Sequence, residues 1–361
     1  MTTGNTMQAL ARLGMKVEIW NRDNSGFDEF GNPLVRLGKK SGSNQRRLYK
    51  FAFLGINQWV YLFDQIRFSF NCVSKLRDES RNAVLWTRFP LVGLVASFAP
   101  KANLMIIELH HQPNFVSRTL LRVLRNLKPV KVAVISQTAK FQFEALQLGI
   151  STFILEMSVP ENFIQRIGEP LVLPAKICYL GKSKSSGNSN NLQFLLSAFS
   201  QMEVYTEDQI ELTGVESQEI DSLVAHADKL QISRNSIKFI QHLSHHEVNE
   251  YLNGISVGLV PYELNKYNAA RFPIKILEYA AKGIWILAPE SFTKNLQLPP
   301  GVVLTYKDGN SKDLASKLEE LILEVESSQN RNGAAIEFAK RHTYESRARK
   351  LILELETLKL I

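Results

Sequence analysis

Residues 257–288 read VGLVPYELNKYNAARFPIKILEYAAKGIWILA. The short apolar run that stops at Pro261 suits a buried strand, and the polar stretch up to Arg271 suits a loop. A helix begins near Phe272-Pro273, since proline fits a first helical position where its missing N–H would be unpaired in any case. A second strand follows at 284–288. In an open parallel sheet, ligands sit beyond the carboxyl ends of the strands, so this loop and helix start are where chemistry belongs. The free amides of a first helical turn, with the helix dipole, make an anion site. Lys275 lies in that turn, Arg271 just precedes it, and Glu278 projects on the same face as Lys275. Two readings stand: a cation and a carboxylate gripping a phosphate and a pair of sugar hydroxyls, or a solvated Lys–Glu pair on a surface helix.

The same alternation runs along the whole chain. A helix at 5–13 is stopped by Gly14 and followed by a strand at 16–20. Strands are expected at 83–86, 104–108, 130–136 and 152–155, with helices at 49–79, 92–100, 114–126 and 138–148. The segment IGEPLVLPA at 167–175 holds one Gly and two Pro and reads as a linker. The pattern then restarts, with strands at 176–180, 209–213, 237–240, 257–261, 284–288 and 302–304. Strands alternating with helices mean parallel sheets covered on both faces. The expectation is an α/β chain of two Rossmann-like, doubly wound domains, 1–166 and 172–342. A closing helix at 343–361 carries Ala348, Leu351, Ile352, Leu355 and Leu358 on one face.

Composition narrows the class. The 361 residues are 45% hydrophobic and 22% charged, too apolar for a disordered chain and long enough for two cores. The longest uncharged apolar stretch of the first half, 89–100, is far short of the roughly 20 residues a membrane span needs. The start lacks the pattern of a signal peptide, and the two cysteines, Cys72 and Cys178, fit a reducing, cytoplasmic setting. Residues 1–165 hold 21 Lys and Arg against 11 Asp and Glu, a net of +10, while the remainder is at −2. A basic first half points to an anionic partner there.

Other segments offer weaker candidates. In IIELHHQP (106–113) a strand runs straight into His110, placed to donate a hydrogen bond or move a proton, or else a loop histidine bonded to backbone. Gly181-Lys182-Ser183-Lys184 follows a strand, and its lysines can meet phosphate as point charges or lie solvated. His242, His245 and His246 have helical spacing, but no cysteine or well-placed carboxylate completes a metal set. No Asp-x-Asp is present, which disfavours a metal-dependent sugar-nucleotide site; no glycine fingerprint, Walker loop or nucleophile elbow appears either. RRLYKFAFLGINQWVYLFDQIRFSF (46–70) interleaves basic and aromatic residues, as a helix on an anionic membrane would, or as one packed in the first core. No nucleic-acid-binding module is visible, so no nucleic-acid partner is expected.

The whole chain resembles retaining glycosyltransferases of the GT-B fold, family 4 in particular. The resemblance centres on Pro261, Pro273, Lys275, Glu278, Tyr279, Ala281 and Gly283, matching that family's strand-Pro, Pro-x-Lys-x-x-Glu-Tyr helix and Ala-x-Gly. IELHH, AVISQTAKF, CYLGK, NTMQALARLGMKVEIW and RHTYESRARKLILEL are similar to other family segments, the last to the closing helix that crosses back towards the first domain. The resemblance implies a nucleotide-diphosphate sugar as donor substrate, no cofactor and no metal, with the donor held mainly by the second domain in a cleft between the two. Glu278 would bind the ribose. Lys182, standing where the family has an arginine, would hold the donor phosphates with Arg271, Pro273 and Lys275. His110 would face the transferred sugar. The acceptor implied is a glycan or lipid-linked molecule of cell-surface polysaccharide or glycoconjugate synthesis, met against the basic first domain, with peripheral contact to an anionic membrane.

The chain departs from the family at three places. The glutamate eight residues before Glu278 is Ala270 here, and Asn191 stands near the place of a second phosphate lysine. The family opens with a strand and a glycine-rich loop, and this chain opens at Met1-Thr2-Thr3-Gly4. Gly4 and Gly181 are therefore expected to be loop glycines, and the first strand to be missing. The missing strand and the reduced phosphate lysines favour a rival, a catalytically degenerate GT-B protein that binds a sugar nucleotide or a protein partner without transfer, while the intact Pro273–Gly283 motif and His110 favour the enzyme.

Overall fold

The structure, a computed structural model, describes residues 2–15, 20–21, 26–27, 33–36, 70, 83–98, 102–181, 184–185, 188–189, 191–203, 209–241, 243–265, 268–269 and 271–357. The chain divides into two compact units, Met1–Glu156 with Ala348–Ile361, and Met157–Arg347. The division falls ahead of the Gly/Pro-containing segment 167–175.

In the first unit, helix α1 (Thr2–Arg12) precedes a four-stranded sheet of β1 (Ala83–Thr87), β2 (Ala102–Leu109), β3 (Val130–Val134) and β4 (Ser151–Ile154). The strands lie in that order and every pair is parallel. Helices α2 (Pro90–Ala96), α3 (Phe115–Leu127) and α4 (Gln137–Glu144) make the crossovers. β2 is buried along 104–109, as strands of a parallel sheet are, with Glu108 the one charged residue in that run. Asn114 caps α3 by accepting the Ser117 N–H at 2.9 Å, and Ser136 caps α4 by accepting that of Ala139 at 3.1 Å. Gly93 on α2 would place a Cβ 2.9 Å from Ile107 Cδ1 and 3.3 Å from Leu124 Cδ2. Its bare backbone lets α2 settle against both β2 and α3.

Two sequence expectations change here. Gly4 lies inside α1 rather than in a loop. The helical spacing of Thr6, Met7 and Leu10 propagates back past it, so it presents no looped amides to a ligand. Of the strand expected at 16–20, the described part is Trp20–Asn21, which pairs in parallel with Val35–Arg36 in a separate three-stranded sheet. The helix expected at 49–79, and with it the basic-aromatic stretch 46–70, lies outside the described residues apart from Phe70.

The main sheet of the second unit has six strands, β5 (Ile177–Leu180), β6 (Ile210–Thr213), β7 (Ile237–Ile240), β8 (Val257–Leu259), β9 (Trp285–Pro289) and β10 (Leu304–Tyr306). Their order is β7-β6-β5-β8-β9-β10, all parallel. Helices α5 (Leu192–Phe199), α6 (Ser217–Lys229), α7 (His245–Tyr251), α8 (Ile274–Ala281), α9 (Glu290–Leu296), α10 (Ser311–Ser328) and α11 (Gly333–Lys340) accompany them. Tyr179, Leu195, Phe199, Leu212, Val257, Leu259, Leu314 and Leu318 are among the core residues that cement sheet to helices. The winding direction reverses between β5 and β8, which opens a crevice at their carboxyl ends. The last helix, α12 (Tyr344–Thr357), spans the division. Thr343 and Tyr344 pair with Val159 in the second unit. Beyond residue 347, Lys350 pairs with Glu156 at 2.7 Å, and Lys131 pairs with Glu354.

α8 is fixed to the sheet by one side chain. Tyr279 lays its ring on Gly258 of β8, where a Cβ would come within 2.5 Å of Cδ2. Its phenol oxygen accepts the N–H of Leu180 at 2.8 Å, one residue past the point where β8 stops pairing with β5. Gly258→Ala forces ring against methyl in a site with no slack. We expect it to destabilise the chain by about 1–3 kcal/mol, read as a lower urea midpoint with an unchanged denaturant slope.

Candidate functional site

The candidate site on the second unit starts from Pro273. It occupies the N-cap position of α8 (φ −69°, ψ 118°), one residue before the first helical position expected from the sequence, and supplies no side-chain cap. The opening amides of α8 therefore remain uncapped by any side chain. Arg271, half-buried, sits in the ordered loop just before it, its N–H bonded to the Asn268 carbonyl at 3.1 Å. Asn268 is itself buried and donates from its amide to the Glu263 carbonyl at 2.7 Å, which holds the loop in shape.

Lys275 and Glu278 are not a solvated surface pair: only 6% and 8% of each is exposed. The Lys275 ammonium turns towards the sheet, 4.2 Å from the centre of the Tyr179 ring and 4.8 Å from that of Tyr262. It is fully buried and meets no hydrogen-bond acceptor among the described residues. Two aromatic faces stabilise a cation by their quadrupoles but leave its N–H groups unsatisfied. Burial works against the charge, yet the Tyr179 and Tyr262 phenols held against it outweigh this and lift the pKa to about 12. The group is thus a cation at neutral pH. Burial raises the Glu278 carboxyl to about 7, although Lys275 pulls it back down.

Glycines make this arrangement possible. Gly181, directly after β5, has φ +135°, and a Cβ there would lie 2.7 Å from Lys275 Nζ. Gly214, directly after β6, has φ +85°, and its Cβ would strike the Gly181 carbonyl at 2.7 Å. Both conformations favour glycine, and together they clear the strand tips around the ammonium. Lys182 lies outside the described residues. Asn191 caps α5 in the left-handed region (φ 59°) and donates to Glu263 at 2.9 Å.

A separate candidate cluster, on the first unit, is built on alternation. Trp86 and Arg88 follow the β1 spacing, Glu108 and His110 that of β2, and the register sets Trp86 beside Ile106. Each pair, two residues apart, shares a face. Glu108, 1% exposed, accepts from the Trp86 indole at 3.1 Å and faces Arg88 Nε at 3.5 Å. His110 Nε2 lies 2.8 Å from its other oxygen. The buried carboxylate thereby fixes the imidazole, with Nε2 turned to Glu108. Arg88 Nη2 is buried and unpaired among the described residues. The quoted IELHH carried this signal in its Glu-x-His spacing, but Trp86 and Arg88 sit on another strand and had none.

His242 lies outside the described residues, as do the side chains of His245 and His246. Among the described residues no group of three His, Cys, Asp or Glu side chains is placed to hold a metal.

Comparison with known proteins now defines the class. Residues 174–324 match the family described as Glycosyl transferases group 1. Sucrose-phosphate synthase from Thermosynechococcus elongatus superposes with a TM-score of 0.71 at 13% identity, covering 99% of this chain and 92% of that one. The lipopolysaccharide outer core galactosyltransferase WaaB gives 0.66 at 14%, covering 98% and 94%. Anabaena HepE in complex with UDP-glucose gives 0.60 at 16%, covering 81% and 82%. No curated protein sequence matches the chain. The chain has the GT-B glycosyltransferase fold, and its second unit carries the group 1 match.

The raised Glu278 pKa makes stability depend on pH. The group is protonated in the folded chain up to about pH 7 but ionises near 4.5 when unfolded, so the folded state binds the extra proton between these values. Its contribution is greatest below pH 4.5 and is lost as pH rises to about 7, by about 3 kcal/mol for 1.36 kcal/mol per unit. Glu278→Gln should remove this slope, measured as the difference in unfolding free energy between wild type and variant from pH 5 to 8.

Proposed function

We propose that this chain transfers a sugar from a nucleoside-diphosphate sugar to a glycan or lipid-linked acceptor. The observation that carries this reading is the buried Lys275 ammonium, unpaired among the described residues, at the switch point of the second sheet. Its N–H groups meet no acceptor among the described residues, and a diphosphate supplies anionic oxygens that fit them. The UDP-glucose complex of the neighbour HepE supports a nucleotide sugar as donor.

The roles follow from the chemistry. Lys275 and the uncapped amides of α8 hold the diphosphate, with Arg271 and Lys182 as further cations and Gly181 giving room for close approach. Pro273 sets where the helix begins. Glu278, as a carboxylate, accepts from the ribose hydroxyls. His110 is assigned to the transferred sugar, and Glu108 positions it. In transfer, the bond from the anomeric carbon to the phosphate oxygen breaks and the diphosphate leaves with the electron pair. The acceptor oxygen forms the new bond and loses its proton. The charge developing on the departing phosphate is met by cations and amides already in place, which lowers the barrier without solvent reorganisation. No step is assigned to a metal. We place the reaction in the cytoplasm, in cell-surface polysaccharide or glycoconjugate synthesis, with the acceptor met at a membrane face.

The second reading, binding without transfer, is favoured by Asn191, which pairs with Glu263 where the family has a phosphate lysine. Thermal unfolding with UDP-, GDP- and ADP-sugars, beside a turnover assay, separates the two. The matching donor at 100 times its Kd should stabilise the chain by about 2.7 kcal/mol. Lys275→Met and Glu278→Ala should abolish that shift, and an unchanged shift in either would refute its assigned role. His110→Ala should keep the shift and lose turnover. A wild-type shift with no turnover would leave the binding-only reading standing.

A further inference from the structure

The proposed chemistry gives no part to Arg88, although this residue shares the Glu108 carboxylate with His110. Arg88 follows β1 directly and His110 follows β2, so both stand at the carboxyl end of the first sheet, where open parallel sheets receive ligands. Glu108 divides its two oxygens among three donors. One oxygen faces His110 Nε2 at 2.8 Å, and the other faces the Trp86 indole at 3.1 Å and Arg88 Nε at 3.5 Å. The arginine holds the longest of the three contacts and shares its counter-charge with two nearer competitors.

The rest of its guanidinium is unused. Nη2 is shut off from solvent and meets no acceptor among the described residues. The side chain as a whole keeps 35% of its surface open, so it is neither a fully solvated group nor a satisfied core one. The fork edge that carries the two terminal nitrogens is the edge that grips an oxyanion at two points. A buried N–H without an acceptor has given up its hydrogen bond to water, and a ligand oxygen restores it.

The charges in the cluster select among oxyanions. Arg88 brings one positive charge, and the carboxylate of Glu108, 1% exposed, lies directly against it. A doubly charged phosphate monoester arriving there is repelled by that carboxylate. A single carboxylate carries one charge and two coplanar oxygens that match the fork.

We propose that Arg88 reads a carboxylate on the transferred sugar, which makes the donor a nucleoside-diphosphate uronic acid. This deepens the proposed function and rests on its assignment of His110 to the transferred sugar. Glu108 holds imidazole and guanidinium on its two oxygens, so a sugar met by one is presented to the other.

The test compares donors that differ only in a hydroxymethyl group against a carboxylate: UDP-glucose with UDP-glucuronate, UDP-galactose with UDP-galacturonate, and GDP-mannose with GDP-mannuronate. Each is titrated calorimetrically into the full chain, with UDP and GDP alone as controls. In the series whose base the chain accepts, the wild type should bind the uronate about tenfold more tightly than its neutral partner, as a hydrogen bond to a charged group predicts. Arg88→Gln should remove that preference and leave the affinities for the neutral sugar and the bare nucleotide unchanged. Arg88→Lys should keep part of it, since the charge remains without the fork. Equal binding of both members of every pair, or tighter binding of the neutral one, would overturn the acidic-sugar assignment while the sugar-nucleotide reading stands. A uronate preference that survives in Arg88→Gln would overturn the role of Arg88. Parallel loss of uronate, neutral sugar and bare nucleotide in that variant would make Arg88 structural. If the wild type binds none of these compounds, the donor reading itself fails and takes this assignment with it.

Discussion

The second unit depends on one constraint: α8 must lie so close to the sheet that a lysine in its first turn is buried among the strand tips. Tyr279 imposes this. Its ring occupies the space that Gly258 leaves open, and its hydroxyl takes up the amide of Leu180 where strand pairing has ended. With the helix held there, Lys275 is buried, and Gly181 and Gly214 exist in conformations and sizes that leave room for its ammonium. The aromatic rings around it keep the group charged, while its N–H groups meet no acceptor among the described residues.

A comparable economy holds at the tip of the first sheet. Glu108 is nearly inaccessible, and a carboxylate so placed must be bonded on both oxygens. The indole of Trp86 and the imidazole of His110 supply those bonds, with the Arg88 guanidinium close by. The result is a histidine whose orientation is set from beneath by the strand on which it ends. Such a group is held in place by the scaffold, so little ordering remains for it to make a further contact.

The two tips also differ in what surrounds them. Residues 1–165 carry a net charge of +10 and the remainder −2, while the buried lysine ammonium at the sheet tip lies in the second unit.

The alternation of apolar runs and amphipathic stretches was enough to read two parallel α/β units, because period and length are local properties of the chain. The strands at 83–87, 104–109, 177–180, 237–240 and 257–259 were legible this way, as was the helix start at Pro273 to within one residue. Gly4 was misjudged as a loop glycine, since a single glycine cannot stop a helix whose neighbours favour it. Whether Lys275 and Glu278 face water or the core was undecidable from their spacing, which serves both. That answer came from Tyr279, Gly258, Tyr179 and Tyr262, residues far apart in sequence that meet only once the sheet is ordered. Trp86 and Arg88 likewise reach Glu108 only through the register of neighbouring strands. The sequence by itself determined the layers and the place of the carboxyl-end loops, because these follow from local periodicity. Tertiary structure alone decided burial, orientation and pKa, because these depend on which distant side chains replace water around each group.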